Sequence, residues 1–186
     1  MLQDLDKTLE KLLRSELPSD IVQQVNFSFD TPDRESIKVT PAINLFLYDV
    51  RENLELRNGS TTTIARQPNG SALKIFAPAR VDCSYLITVW PTLLSDPEYE
   101  HRLLGSVMEV LMRHTRLPTA ILQGRLKDQD APLRSRALRT NYLQSMGEFW
   151  QGMGGRPKAT LNYVVTISVA TSVSEEVVPL VMKTSI

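Results

Sequence analysis

Apolar residues recur at helical spacing in several parts of the chain. The first 17 residues carry a leucine stripe at intervals of three and four positions, formed by Leu2, Leu5, Leu9, Leu12 and Leu13, and Pro18 ends this pattern. A second helix is predicted after Asp96, which is a suitable N-cap and is followed by Pro97. A third helical pattern crosses residues 141–155 and ends at two glycines, and a short helical turn is expected within residues 117–122.

Alternating or continuous apolar runs predict the strands. The run from Ile43 to Tyr48 is nearly continuous, so we expect a strand that is buried on both faces, through a central position in its sheet or a layer covering each side. Two Asn-Gly pairs between Asn58 and Pro78 predict a long hairpin or an excursion from the sheet. The four strands expected in the sheet are residues 25–30, 42–50, 79–90 and 158–170.

The order of these elements predicts the fold class and the domain organisation. Strands and helices do not alternate regularly, which favours an α+β fold with a mixed, mainly antiparallel sheet of about four to six strands and flanking helices. The end of the chain is polar and then strand-prone, with Pro179 suiting an edge strand. We therefore expect one α+β domain over residues 1–170 and an extended arm or edge strand over residues 171–186.

Charge is balanced overall but not evenly spread. The 186 residues hold 21 Lys and Arg against 21 Asp and Glu, which argues against a surface built wholly for nucleic acid or anionic membrane. Residues 1–55 hold 11 acidic and 6 basic side chains, whereas residues 124–139 hold 5 basic and 2 acidic ones. No aromatic side chain interrupts this basic run, so a solvated loop is the simplest interpretation and a protein contact is the functional alternative.

The cellular compartment and the candidate chemistry follow from a few residues. Cys83 is the single cysteine and lies on the predicted buried face of its strand, and the start of the chain lacks a signal-peptide pattern. No run approaches the ~20 apolar residues that cross a bilayer, so we expect folding in a reducing cytoplasm. Glu98 and His101 have the spacing of half a di-iron site, but no second copy follows, and a solvated helical turn is the simpler interpretation.

The segment after Tyr48 turns abruptly from apolar to charged, and three interpretations are open. A catalytic rim would need a partner acid or base and an enclosing pocket, for which the sequence offers no candidate. A plain strand end would carry a local pair between Asp49 and Arg51, worth less than about 1 kcal/mol if exposed. Alternatively, the string NLELR continues as a strand whose edge or charged face contacts a neighbouring subunit.

Several strings occur together and in order over about residues 2–169, and they carry a family resemblance. They are DLDKTLEKLLRSELP, INLFLYDVRENLELRN, RVDCSYLITVWPT, PEYEHRLLGSVMEVLMRH with LPTAILQG, and MGEFWQGMGGRPKATLNYVVTISV. Together they resemble the N-terminal domain of the cap, or tail terminator, protein of extracellular contractile injection systems. These systems are headless, phage-tail-like particles of the Photorhabdus virulence cassette and antifeeding-prophage type.

This resemblance implies a structural role without enzymatic activity or cofactor. Such caps form a six-fold ring of identical subunits on the distal end of the inner tube, bind the terminal sheath ring and stop polymerisation. The particles carry protein cargo, so neither nucleic acid nor membrane is an expected partner, and assembly is expected in the cytoplasm. The alternatives are the terminator of a DNA-containing contractile phage tail and a small metal-dependent hydrolase.

We predict no catalytic, cofactor-binding or metal-binding residues, and we place the candidate interface residues in three segments. These segments are the charged stretch after the second predicted strand, the basic run and the C-terminal arm. Their candidate residues are Asp49, Arg51, Glu52, Asn53, Glu55, Arg57, Arg134, Arg136, Val177, Val178, Leu180 and Val181.

Overall fold

The structure, a computed structural model, describes residues 1–56, 62–66, 71–92, 96–138, 146–154, 156–170 and 176–179. The helices among these residues are α1 (Leu2–Glu16), α2 (Ser19–Gln24), α3 (Pro97–Arg113) and α4 (Met146–Gly152). The strands are β1 (Asn26–Ser28), β2 (Ala42–Glu52), β3 (Thr62–Arg66), β4 (Ser71–Phe76), β5 (Ala79–Trp90), β6 (Arg134–Ala137), β7 (Leu161–Val169) and β8 (Glu176–Pro179).

Five strands form the main sheet in the order β1-β2-β5-β7-β6. β1 runs parallel to β2, and the other neighbours are antiparallel, which confirms the predicted α+β class with a mixed, mainly antiparallel sheet. β2 lies between β1 and β5, so it is an interior strand as predicted, although β5 holds the middle position. The apolar run in β2 is covered at one end, where Ala42 to Leu45 are buried.

A second sheet has the order β3-β4-β8. β3 and β4 form an antiparallel hairpin, as the Asn-Gly pairs predicted, and β8 pairs antiparallel with β4 so that Pro179 lies opposite Ser71. The end of the chain therefore contributes an edge strand to a sheet of its own chain. The division of the chain at residue 170 stays a prediction.

Helices cover one face of the main sheet and enclose the principal core there. α1 buries its leucine stripe against alternate residues of β5, among them Cys83, Tyr85 and Ile87. Leu2 departs from the predicted stripe because its side chain is 38% exposed. The Tyr85 hydroxyl, buried beneath α1, donates a hydrogen bond of 2.7 Å to an Asp6 carboxylate oxygen, so the polar end of this core residue has an acceptor.

α3 forms as its sequence predicted. The Asp96 side chain accepts a hydrogen bond of 2.9 Å from the Tyr99 backbone N–H, and Pro97 occupies the first helical position. At the other end of the helix, Arg113 donates to Glu16 of α1 at 3.2 Å. These contacts fix the α3 face that packs on α1 and β5.

The sequence-based predictions missed one helix and misread two segments. The missed helix is α2, whose six residues bury no side chain and so lack an apolar stripe. The basic run is not a solvated loop, because it contains a 3-10 turn at Gly124–Asp128 and the edge strand β6. The string NLELR is not a strand: Leu54–Leu56 is a 3-10 turn, and the Leu56 N–H is held by the Asn53 side-chain oxygen at 3.1 Å.

Truncation of Leu9 tests the packing of α1 on the sheet. Leu9 is fully buried, so Leu9→Ala should lower the free energy of unfolding by about 2–5 kcal/mol, because the removed methyl groups leave a cavity. Leu2→Ala is the matched control on the same helix and should cost much less. Urea denaturation followed by circular dichroism measures both, and equal losses would contradict the described packing.

Candidate interaction surface

The face of the main sheet opposite the helices carries a set of charged side chains that we call the polar face. Two neighbouring register lines across β2, β5, β7 and β6 build it. One line aligns Arg51, Asp82, Thr166 and Arg134, and the next aligns Asp49, Ser84, Val164 and Arg136. Aligned residues of neighbouring strands point to the same side of a sheet, so four of the predicted interface residues share this surface.

A bulge in β2 places Asp49 and Arg51 on the polar face. The ladder with β5 pairs Leu47 with Tyr85 and then Asp49 with Ser84, which leaves Tyr48 as an extra residue. The Tyr48 hydroxyl reaches across the sheet and accepts a hydrogen bond of 2.5 Å from the Asn162 side-chain amide. This contact holds the bulge on the polar face.

Asp49 and Arg51 form a local ion pair. The Arg51 Nε lies 2.8 Å from an Asp49 carboxylate oxygen, and the side chains are 77% exposed for Arg51 and 18% for Asp49. A pair with one partner this open to solvent stabilises the fold by less than about 1 kcal/mol. The arrangement therefore leaves a guanidinium oriented and accessible at one end of the polar face.

Asp82 organises the middle of the polar face, although it was not among the predicted site residues. Its carboxylate accepts hydrogen bonds from the Asn53 amide at 2.9 Å and the Thr166 hydroxyl at 2.6 Å. A guanidinium nitrogen of Arg136 lies 3.9 Å away. The signal for this network was the alternation of polar residues Asp82, Ser84 and Thr88 in a strand that is otherwise apolar.

A second ion pair lies at the end of β5 and was also missed. Arg80 donates to both carboxylate oxygens of Asp130, at 2.9 and 2.8 Å, and also to the Ser168 hydroxyl. Partial burial raises the pKa of Asp130, but the hydrogen bonds from Arg80 and Ser168 outweigh it and hold the pKa below the ordinary value. Asp130 belongs to the basic run, and this pair attaches the run to the sheet.

The remaining predicted residues after β2 have different environments. Asn53 is 7% exposed, and its backbone N–H donates to the Arg80 carbonyl at 2.7 Å in addition to its bond with Asp82. It therefore holds the 3-10 turn in place rather than offering a contact. Glu52 and Glu55 are exposed on either side of it.

The other predicted residues separate into two groups. Arg134 is exposed and Arg136 is half-buried, both on β6 at the edge of the main sheet. Val177 and Val178 lie in β8, where they pair with Leu73 and Ala72. Arg57, Leu180 and Val181 lie outside the described residues.

The candidate catalytic and metal-binding groups do not assemble into a site within the part of the chain that the structure describes. No three His, Cys, Asp or Glu side chains among those residues are placed to share a metal ion, and Glu98 and His101 are exposed in α3. Burial, with smaller contributions from Asp82 and Asp6, raises the pKa of the Cys83 thiol to about 12. No helix of the described residues has the length and hydropathy needed to span a membrane.

Comparison with known proteins shows which family the chain matches. A family model described as the Pvc16 N-terminal domain matches residues 4–184. The fold is similar to a cryo-EM structure of the sheath/tube terminator of the PVC extracellular contractile injection system in its extended state. That match has a TM-score of 0.72 and 24% sequence identity over 100% of this chain and 62% of the other.

A second solved structure gives a similar result. It is the tube-terminating cap of the anti-feeding prophage, with a TM-score of 0.71, 25% sequence identity, and cover of 100% of this chain and 61% of the other. The chain thus spans about three fifths of the length of both structures. No curated protein matched the chain at a significant level.

Substitution of Asn53 tests whether it supports the fold. Asn53→Ala removes a donor to Asp82 and the acceptor of the Leu56 N–H, so the free energy of unfolding should fall by about 1–3 kcal/mol. Glu55→Ala, two residues away and exposed, should change it by no more than about 0.5 kcal/mol. Thermal and urea denaturation of the two variants distinguish a structural Asn53 from an exposed contact residue.

The Arg80–Asp130 pair should make stability depend on pH. Because the folded-state pKa of Asp130 is depressed, its contribution is present above the unfolded-state pKa and is lost as pH falls through the folded value. The stability difference between wild type and Asp130→Asn should therefore shrink between pH 7 and about pH 3. Asp128→Asn removes an exposed carboxylate nearby and serves as the control, and a constant wild-type-minus-Asp130→Asn difference would contradict the pairing.

Proposed function

Because the chain belongs to the Pvc16 N-terminal domain family, we propose that it is a tail terminator, a structural subunit that ends the tube of a contractile injection particle. The observation that carries this proposal is the similarity of the whole chain to two tube-terminating caps. The exposed ends of the polar face, at Arg51 and Arg134, suit a protein contact because they offer charges on a rigid sheet, whereas its middle, with Ser84 and Val164, is buried within the subunit.

The assembly that we propose is a six-fold ring of identical subunits that caps the inner tube and binds the terminal sheath ring. A closed ring needs heterologous contacts, in which two different surfaces of each subunit meet. The uneven charge of the chain suits such contacts, with an acidic first segment and a basic stretch in residues 124–139. Assembly would occur in the cytoplasm and would involve neither nucleic acid nor a cofactor.

We assign the polar face to the contact with a tube or sheath subunit. Arg51 and Arg134 lie on one register line at opposite sides of the sheet, separated by three strand spacings of about 4.8 Å each. Between them, Asp82 is engaged by Asn53 and Thr166. The two exposed guanidinium groups are thus available to an acidic surface, and charge complementarity of this kind favours the correct partner and speeds its association.

The segment 171–186 remains a candidate arm. Its described part, β8, extends the β3-β4 hairpin with backbone pairing from Glu176 to Pro179. Pro179 has no backbone N–H, so it limits strand addition at its own position. We propose that the arm supports the second sheet and that this sheet contributes to contacts with other particle subunits.

A double charge reversal tests the proposed function of the polar face. Arg51→Glu with Arg134→Glu should leave the subunit folded, because neither side chain is buried, and should produce tubes of irregular and excessive length. Lys7→Glu with Arg102→Glu makes the same change of charge on exposed positions of α1 and α3, and it should preserve uniform particles. Electron microscopy of particles from a deletion strain complemented with each variant measures their length. Normal termination by a folded polar-face variant would reject this assignment.

A further inference from the structure

A groove of about 1080 Å³ lies at the end of β5, away from the 3-10 turn Leu54–Leu56. Three segments line it: the loop of residues 32–36, the end of β5 with Pro91, and α4 with the residues that follow it. We call this the tryptophan groove, because Trp90 and Trp150 both contribute to it. An aromatic groove of this size has room for a side chain and part of the backbone of another protein segment.

The tryptophan groove holds a hydrogen-bond donor that lacks an acceptor. Trp150 is 2% exposed, and its indole N–H has no hydrogen-bond partner among the described residues. The Trp90 indole, in contrast, donates to the Thr88 hydroxyl at 2.9 Å, and the Lys158 ammonium lies 5.0 Å from the centre of the Trp90 ring. The Trp150 nitrogen is itself buried, so its N–H is not open to an occupant of the groove.

Charge around the tryptophan groove favours an acidic occupant. The lining contains three cations, Arg34, Arg156 and Lys158, against two carboxylates, Asp33 and Glu35. The Asp33 carboxylate is already engaged, since it accepts from the Ser36 N–H at 2.8 Å, the Ser36 hydroxyl at 2.8 Å and the Glu35 N–H at 2.9 Å. Lys158 is paired with Glu100 at 2.6 Å. Arg34 and Arg156 are exposed and have no ion pair within the described residues.

A complementary feature lies at the other end of the β2–β5 pair. Leu54 is 67% exposed, more than any other large apolar side chain of the described residues, and it is followed by the exposed Glu55. We call residues 53–56 the Leu54 knob. Its conformation is fixed in advance, because buried Asn53 bonds the Arg80 carbonyl, the Asp82 carboxylate and the Leu56 N–H. A preformed contact of this kind loses little conformational entropy on binding.

The length of β5 separates the Leu54 knob from the tryptophan groove of the same subunit. β2 pairs Glu52, next to the knob, with Val81, and pairs Ala42 with Trp90 at the groove. Val81 and Trp90 are nine residue steps apart along the strand, which corresponds to about 30 Å at roughly 3.3 Å per step. A subunit therefore cannot fill its own groove with its own knob. Because the two features lie at opposite ends of β5, the knob of one copy can contact the groove of the next in a head-to-tail arrangement.

We propose that the Leu54 knob of one subunit docks in the tryptophan groove of the next, as the heterologous contact of the ring, so this inference rests on the proposed function. Leu54 enters the groove beside Trp90 and Pro91, and Glu55 pairs with Arg34 and Arg156. Repetition of one such heterologous contact gives a closed ring when the rotation between neighbouring subunits divides a full turn, as it does in a six-fold ring.

Two half-defective variants, each of which lacks either the knob or the groove, test the contact. Leu54→Asp removes the knob and keeps the groove, whereas Arg34→Glu with Arg156→Glu disables the groove and keeps the knob. Each should weaken assembly at least about tenfold, because truncation of a central anchor usually dominates an interface. A mixture of the two should form one-to-one dimers and no rings, since only one of its two contacts is intact. Native mass spectrometry of the full chain, with and without the inner tube protein, measures these species.

Control variants, and two outcomes that would contradict the proposal, distinguish an incorrect knob contact from an incorrect ring. Met112→Asp changes an apolar side chain that is 55% exposed on α3, and Arg102→Glu reverses an exposed charge on the same helix, so both should assemble as wild type does. Circular dichroism confirms that each variant is folded. Rings from wild type and from both half-defective variants would overturn the knob contact and leave the proposed ring intact. A wild-type chain that stays monomeric under both conditions would overturn both.

Discussion

The antiparallel pairing of β2 with β5 is the constraint on which the other features depend. Its ten paired positions run from Ala42 opposite Trp90 to Glu52 opposite Val81. This ladder fixes which residues share a register line, and β7 and β6 extend those lines to the far edge of the sheet. It also sets the distance between the Leu54 knob and the tryptophan groove, so one element defines both the polar face and the two ends of the subunit.

The two faces of β5 are stabilised in different ways. On the helix-covered face, apolar side chains such as Cys83 and Ile87 are removed from water by α1 and α3. On the polar face, Asp82 is nearly as buried, and hydrogen bonds from Asn53 and Thr166 offset its desolvation. Leu86 and Val164 are also buried on the polar face, so apolar packing contributes on both sides of the strand, and the hydrogen bonds of Asp82 orient the charged groups around it.

Sequence patterns predicted the elements whose burial follows a simple period. α1, α3 and β5 each have a regular apolar repeat, and the structure confirms them. The patterns failed where long-range pairing decides the outcome, as for β6, which is only four residues long and has two arginines on one face. They placed Asp49 and Arg51 correctly in a charged cluster, but the Asp82 network and the tryptophan groove depend on residues that are distant in sequence and meet only in the folded chain.

The bulge at Tyr48 has a consequence for how relatives of this chain should be aligned. In a ladder without the bulge, Asp49 would lie opposite Cys83 and Arg51 opposite Val81, and both charges would enter the helix-covered core. The bulge absorbs one residue and returns the strand to phase. A relative with one residue fewer at this point would keep every later pairing in a regular ladder. Length variation by a single residue here is therefore compatible with an unchanged sheet and should not be taken as a sign of a different fold.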